Sequence, residues 1–476
     1  MYTSLILCTS ALVVAIILLT FAKKSDGTFN KFLKIFTVVF CAVGFFRFML
    51  SDSFVYVING AYFNGVYYDA TDVLQTILRW GYYLNYAVLP MAVFFEGRLF
   101  KNIASYFCLP FTLLSTIFFN DFMGYFLSSA GQGLHLVPWI RYVYFVVELI
   151  LALVIPIVMQ IRHKHVFNVK DKKEWKNFLI ALPFVVIIMM PVYVPQSLIG
   201  YSSLLAKIGS AYHIAWIALL LIVTLGLYYI FRFKNKKERY MLCVFLTIVL
   251  FFHYDSLYLM GFSIPRLPIQ LCNIASYFYM VAILFKKNKL FQFCFIANIT
   301  GALIAIVAAD FSVGAFGFWN MHFVFEHSLV LMIPALAMGL RIFPRISKST
   351  IKYTFIGFCC YFVFCLTAGT LLNAFSNSTG YTVNYFYLFD LKKALKYFAF
   401  LTFVRDFGIN IGDFTLYPFI VLIVFVAFFL LCLIFYALVK LLYKIEDDHI
   451  ELRKSAIELY EKHTGKKSKL PKDFSD

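Results

Sequence analysis

Charge is what this sequence has least of. Asp, Glu, Lys and Arg together make up 14% of its 476 residues, against 62% hydrophobic ones. A soluble domain keeps roughly a quarter of its residues charged, so the composition excludes an ordinary soluble fold. Alternation of polar and apolar residues over ten-residue stretches is missing too, which excludes a transmembrane barrel. No basic segment precedes the first apolar run, whereas Lys23 and Lys24 follow it. A cleavable signal peptide has the opposite charge order, so a retained first helix is expected. The ten cysteines lie mostly inside apolar runs and show no paired spacing in loops, which gives neither a disulfide framework nor a zinc site.

What the sequence does have is long apolar runs. SLILCTSALVVAIILLTFA from Ser4 and FIVLIVFVAFFLLCLIFYALV from Phe419 are each about twenty residues long, the length that crosses a bilayer as a helix. In lipid the backbone must bond to itself, which leaves the helix as the remaining choice. The expected fold is an all-α polytopic membrane protein of about 13 transmembrane helices. Spans are expected near 4–22, 32–50, 77–97, 102–120, 138–161, 177–197, 208–231, 240–258, 267–285, 290–308, 323–343, 351–373 and 415–443.

A net charge of +18 would point to nucleic acid in a soluble protein. Here 33 of the 42 lysines and arginines fall in alternate connections between spans or in the tail. The positive-inside rule then puts the amino terminus outside and the carboxyl terminus in the cytoplasm, with no nucleic-acid partner. Three regions are expected. Residues 1–200 form a six-helix region with scattered ionisable residues (Arg47, Arg79, Glu96, Glu148) and no assigned role. Residues 205–444 form a seven-helix region with all four membrane-zone histidines. Residues 445–476 form a basic cytoplasmic tail, read as a solvated helix near anionic headgroups. Residues 391–407, rich in Phe and Leu beside lysines, suit a helix lying in the outer interface.

The seven-helix region concentrates polar residues at one level. His213, Cys272 and His327 are each expected roughly 6–8 Å below the outer ends of their helices. His253, Asp255 and Asp310 reach that level from the other direction, with Gln270, Asn273, His322 and Glu326 close by. Polar groups within a membrane are costly and face cavities or one another, so this layer is the candidate site. Cysteine with histidine allows a thiolate nucleophile activated by an imidazole. A third group would orient the histidine, and Asp310, Glu326 or Asn384 are the candidates. Against this stand plain readings: most membrane cysteines are small packing residues, and a buried histidine often only bonds between helices. A zinc site is weaker, because no HExxH pair occurs and His322 and His327 point about 140° apart on a helix. A transport path needs ionisable groups through the bilayer centre, and the middles of the spans that carry Cys272 and His327 have none.

Four stretches in order carry a resemblance: RLPIQLCNIASY (266–277), GALIAIVAADF (301–311), FEHSLVLMIPAL (325–336) and GYTVNYFYL (380–388), with AYHIAW (211–216) ahead of them. They resemble the bacterial YwaF family of integral membrane proteins, whose animal relatives are cysteine acyltransferases of ether-phospholipid synthesis. The resemblance covers about 205–444. It implies a thioester mechanism with Cys272 as nucleophile and His327 as base, supported by Asn384 and His213. It implies membrane phospholipids as substrate, no cofactor or metal, and a bacterial plasma membrane. One departure is visible: Gln270 stands where the bacterial pattern usually has histidine. The rival expectation is a transporter or envelope-assembly protein whose polar layer binds a headgroup. No protein partner is assigned.

Overall fold

The computed structural model describes residues 2–24, 26–45, 81, 84–95, 98–118, 138–163, 170–189, 206–255, 267–309, 311, 314–315, 318–389, 399–465, 467–468 and 473–474. By packing, the chain divides into two compact units: Met1–Tyr201 with Phe251–Arg266, and Ser202–Leu250 with Leu267–Asp476.

The first unit contains α1 (Tyr2–Lys24), α2 (Asp26–Phe45), α3 (Leu84–Phe94), α4 (Arg98–Ile103), α5 (Leu109–Ile117), α6 (Pro138–His163) and α7 (Lys172–Met189). A π-helical turn, Ala104–Cys108, joins α4 to α5. α6 packs against α1, α2 and α5. Its Glu148 is fully buried. Asn85 of α3 donates to Thr112 Oγ1 of α5 at 2.7 Å.

Among the described residues seven long helices follow: α8 (Ala211–Phe231), α9 (Lys236–Asp255), α10 (Leu271–Leu284), α11 (Asn288–Val307), α12 (Phe318–Gly339), α13 (Lys348–Ala374) and α14 (Pro418–Thr464). All but the last turn of α9 belong to the second unit. α11 is its hub, packed by α10, α12, α13 and α14, while α8 lies against α12. Phe291, Phe295, Asn298 and Ile306 of α11 are all buried. Leu219, Ile222 and Leu225 of α8 and Leu430, Ile434 and Leu438 of α14 are more than half exposed. Apolar faces of that extent need lipid to cover them. Among the described residues, five helical stretches, Ala211–Phe231, Asn288–Val307, Asn320–Gly339, Lys348–Ala374 and Pro418–Thr464, are long and apolar enough to cross a membrane. The chain is an all-α membrane protein.

Local signals set the helix ends. The Ser210 hydroxyl accepts from His213 N and caps α8, and Ser347 and Thr350 form a capping box on α13. α12 ends in a Schellman turn: Ile342 N donates to Ala337 O at 2.9 Å and Arg341 N to Met338 O at 3.0 Å. Arg341 takes the left-handed position of that turn (φ 58°), where glycine is usual.

Three boundaries depart from the sequence reading. α10 begins at Leu271 rather than 267, because Pro268 and the extended backbone of Gln270 hold the chain out of the helix. α14 joins the span expected to end near 443 to the helix expected in the tail, running 47 residues as one helix, since nothing breaks it before the left-handed Gly465. Of the expected interfacial helix at 391–407, residues 391–398 lie outside the described residues, and Ala399–Phe407 is 3₁₀-helical. An unexpected hairpin follows, Ile409–Ile411 paired antiparallel with Phe414–Leu416. Gly412 (φ 58°) makes its two-residue turn, and Asp413 ties the turn to the end of α13, donating from its backbone N to Ala374 O at 3.2 Å, while its carboxylate accepts from Asn377 N at 2.9 Å.

Candidate active site

Cys272 is the second residue of α10 and is partly buried. Its Sγ–H donates to Asn273 Oδ1 at 3.1 Å. The preceding turn is clamped by α13: Tyr361 OH donates to Ile269 O at 2.9 Å, and Cys365 Sγ lies 3.6 Å from the same oxygen. Gln270 occupies the N-cap but makes no side-chain cap bond. Its amide faces the 384–389 loop instead, donating from Nε2 to Asn384 O and accepting Phe386 N at Oε1, both at 2.9 Å. The N–H groups of the first turn of α10, which a helix leaves without intrahelical partners, are therefore uncapped by that side chain.

The loop held by Gln270 is strained. Phe386 and Tyr387 have φ of 52° and 58°, a conformation rare for aromatic residues. The Asn384 amide oxygen accepts Phe389 N at 3.0 Å, so this side chain is committed to its own loop. Burial pushes the Tyr385 phenol up to about 12, which keeps it neutral. The Phe389 ring seats against Gly369 of α13, where any Cβ would collide with it.

His327 is a buried residue of α12. Its Nδ1 bonds Phe323 O at 2.8 Å. A carbonyl can only accept, so the proton sits on Nδ1 and the lone pair on Nε2. Phe323, one turn earlier, stacks on the same imidazole with centroids 4.2 Å apart. The group bonded to His327 Nδ1 is thus a backbone carbonyl; of the side chains expected as candidates to orient it, Asp310, Glu326 and Asn384, Asp310 lies outside the described residues. Glu326 and His322, one turn apart and both buried, lie 3.6 Å from each other. Glu326 is within electrostatic reach of Cys272, as is Tyr361. α10 and α12 pack side by side, and Tyr279 OH donates across them to Val330 O at 2.8 Å.

The other expected residues have different surroundings. His213 has both ring nitrogens engaged: Nδ1 accepts Gly209 N at 3.0 Å and Nε2 donates to Ile306 O at 2.7 Å. It closes α8 onto the end of α11 and touches Trp216 and Phe311, with centroids 5.8 and 5.6 Å away. Its hydrogen-bonding capacity is spent on structure. His253 is buried in the last turn of α9. His253 and Asp255 fall in the first unit, and Cys272 in the second. Asp310 lies outside the described residues. No cluster of three metal-ligating side chains occurs among the described residues. The sequence reading missed Tyr279 and Tyr361; both stood in quoted apolar spans, and only their hydroxyls marked them.

Comparison with known proteins finds one match, over just under half of the chain. Residues 208–439 match the model of the TMEM164 family. This is a family of membrane proteins. No curated protein and no solved structure matches the chain. The TMEM164 match begins just before α8 and ends within α14, so it holds Cys272, His327 and every other candidate site residue.

Proposed function

We propose that the second unit is a membrane acyltransferase. It moves a fatty acyl chain from a phospholipid to a lipid or lipid-linked acceptor through a thioester on Cys272, at the outer face of a bacterial plasma membrane. The observation that carries this reading is the setting of Cys272: an uncapped helix N-terminus beside the helix whose histidine has a free lone pair on Nε2. The resemblance of the same region to a family with acyltransferase relatives agrees with it.

The Tyr279–Val330 bond supports the pairing of sulfur and imidazole. Both helices run the same way, each being one hairpin removed from the other across α11. Counting seven residues back from Tyr279 and three back from Val330 leaves an offset of roughly 6 Å at 1.5 Å per residue. The tyrosine leans toward the start of its helix, and the Val330 carbonyl points toward the end of its own. These directions absorb most of that offset, so Cys272 and His327 fall at similar heights.

The chemistry then runs in two halves. His327 Nε2 takes the Cys272 proton, and the sulfur attacks the ester carbonyl carbon, forming the C–S bond. The oxyanion faces the first-turn N–H groups of α10, where the helix dipole favours negative charge. Its collapse breaks the C–O bond, and the lysophospholipid oxygen leaves with the proton from His327. In the second half His327 takes a proton from the acceptor hydroxyl, whose oxygen attacks the thioester. The C–S bond breaks and the proton returns to sulfur. Apolar surroundings keep water from the acyl-enzyme, which favours transfer over hydrolysis.

The test is direct. Purified protein in phosphatidylcholine vesicles with an isotope-labelled acyl chain is quenched in acid, and the Cys272 peptide is analysed by mass spectrometry. A hydroxylamine-labile acyl mass on that peptide is expected. Full acyl exchange by Cys272→Ala would end the proposal.

A further inference from the structure

The carboxyl-terminal segment folds back onto the end of the second unit that the sequence reading assigns to the cytoplasm. Asp473 Oδ1 lies 2.7 Å from both Nε and a terminal nitrogen of Arg232, and 3.1 Å from a terminal nitrogen of Arg453. Phe474 N donates to Arg232 O at 2.8 Å. The Phe474 ring has three guanidinium groups around it, Arg341 at 4.6 Å, Arg239 at 5.4 Å and Arg232 at 6.0 Å from its centroid. Arg232 and Arg239 are nearly buried, at 6% and 3% exposure. One carboxylate and one ring thus sit inside a cluster of four arginines.

The cluster looks built to hold an anion. Arg341 keeps a left-handed backbone where glycine would be relaxed. Its guanidinium instead spans Asp447, at 3.0 Å, and Phe474. Beside it opens a cavity of about 590 Å³ lined by Lys236, Arg341, Arg345 and Lys454, with Asp447 and Glu451 as its carboxylates. Taking Asp473 away would leave the buried Arg232 guanidinium without its counterion, which is costly unless another anion replaces it. Planar guanidinium forks suit phosphate as well as carboxylate. Position decides the kind of phosphate: Arg232 directly follows α8, Arg239 lies in the first turn of α9, and Arg341 is two residues past the end of α12. Ends of spanning helices are the level of lipid headgroups.

We propose that this arginine cluster and its cavity form a binding site for the phosphate of an anionic lipid headgroup, with Asp473–Phe474 as a built-in competitor. The site is separate from Cys272 and does not rest on the acyltransferase reading. The experiment uses the full chain in nanodiscs of phosphatidylcholine, with or without phosphatidylglycerol, and follows hydrogen exchange at the Phe474 amide. Phosphatidylglycerol should lower protection of that amide several-fold. The response should be lost in the double variant Arg341→Gln, Arg345→Gln and kept in Lys462→Gln, a cation outside the cluster. The double variant Asp473→Asn, Phe474→Ala, with the competitor weakened, should bind phosphatidylglycerol several-fold more tightly than the native chain. Inorganic phosphate in pure phosphatidylcholine discs should have no effect. If it releases the tail equally well, the anion site stands and its lipid source is overturned. Unchanged protection at every phosphatidylglycerol content, or no gain of binding in the tail variant, overturns the site itself.

Discussion

At the scale of single residues, the chemistry expected of Cys272 and His327 depends on which nitrogen carries the proton. The Phe323 carbonyl fixes it on Nδ1, so a side chain that cannot take a proton at the Nε2 position removes the base. His327→Gln should lower the acyl-transfer kcat by about 10²–10⁴-fold, the usual worth of a positioned base, with little change in KM. Gln270 makes a different case. Its two bonds go to backbone groups of the 384–386 loop, and Gln270→Ala would leave those groups unpaired at a cost of about 1–3 kcal/mol. Thermal unfolding in detergent should show that loss. A Gln270→His variant, one polar side chain for another, should recover part of the stability. Cysteine and histidine were legible in the sequence because their types announce chemistry. The work of Gln270 was not, because its partners are backbone atoms more than a hundred residues away. The same holds for His327, whose orienting group is a carbonyl that no side-chain pattern reveals.

At the scale of elements, the apolar runs marked the helices but not their register. Register rests on polar contacts between apolar faces, and Tyr279 to Val330 is one that joins α10 to α12. Tyr279→Phe should destabilise the protein by about 1 kcal/mol, as for other interhelical bonds in membranes. It should also slow acyl transfer, because the heights of Cys272 and His327 are tied through that bond. A variant with lost stability and unchanged kcat would detach the register from the chemistry. The 384–389 loop is seated in a comparable way. Gly369 leaves room for the Phe389 ring, so Gly369→Ala must displace the ring and loosen the loop that Gln270 holds. The hairpin at 409–416 was invisible in advance, since each of its strands is only three residues long. A Gly-Asp pair was its whole signal.

At the scale of the whole molecule, composition alone led to a helical membrane protein, because so apolar a chain has no other way to satisfy its backbone. The alternation of positive charge carries more, since it assigns a side to every connection. α14 sharpens that assignment into something measurable. Its 47 residues extend roughly 70 Å at 1.5 Å per residue, while the hydrocarbon core takes up about 30 Å. The surplus is the charged stretch after Lys440, held to the α12–α13 connection by Arg345, which meets Glu446 at 2.8 Å and Asp447 at 3.0 Å. The hairpin beyond α13 lies at the opposite end of α14. The two ends should therefore face opposite compartments. Cysteine placed at Ser378, next to the hairpin, should react with a membrane-impermeant maleimide in intact cells. Cysteine placed at Ser468, beyond α14, should react only after the membrane is opened. Peptide-resolved mass spectrometry separates these labels from the native cysteines. The reverse pattern would invert the protein and move Cys272 to the inner leaflet, where its lipid donor would be drawn from the cytoplasmic side. Labelling of both sites in intact cells would break the odd count of crossings between them.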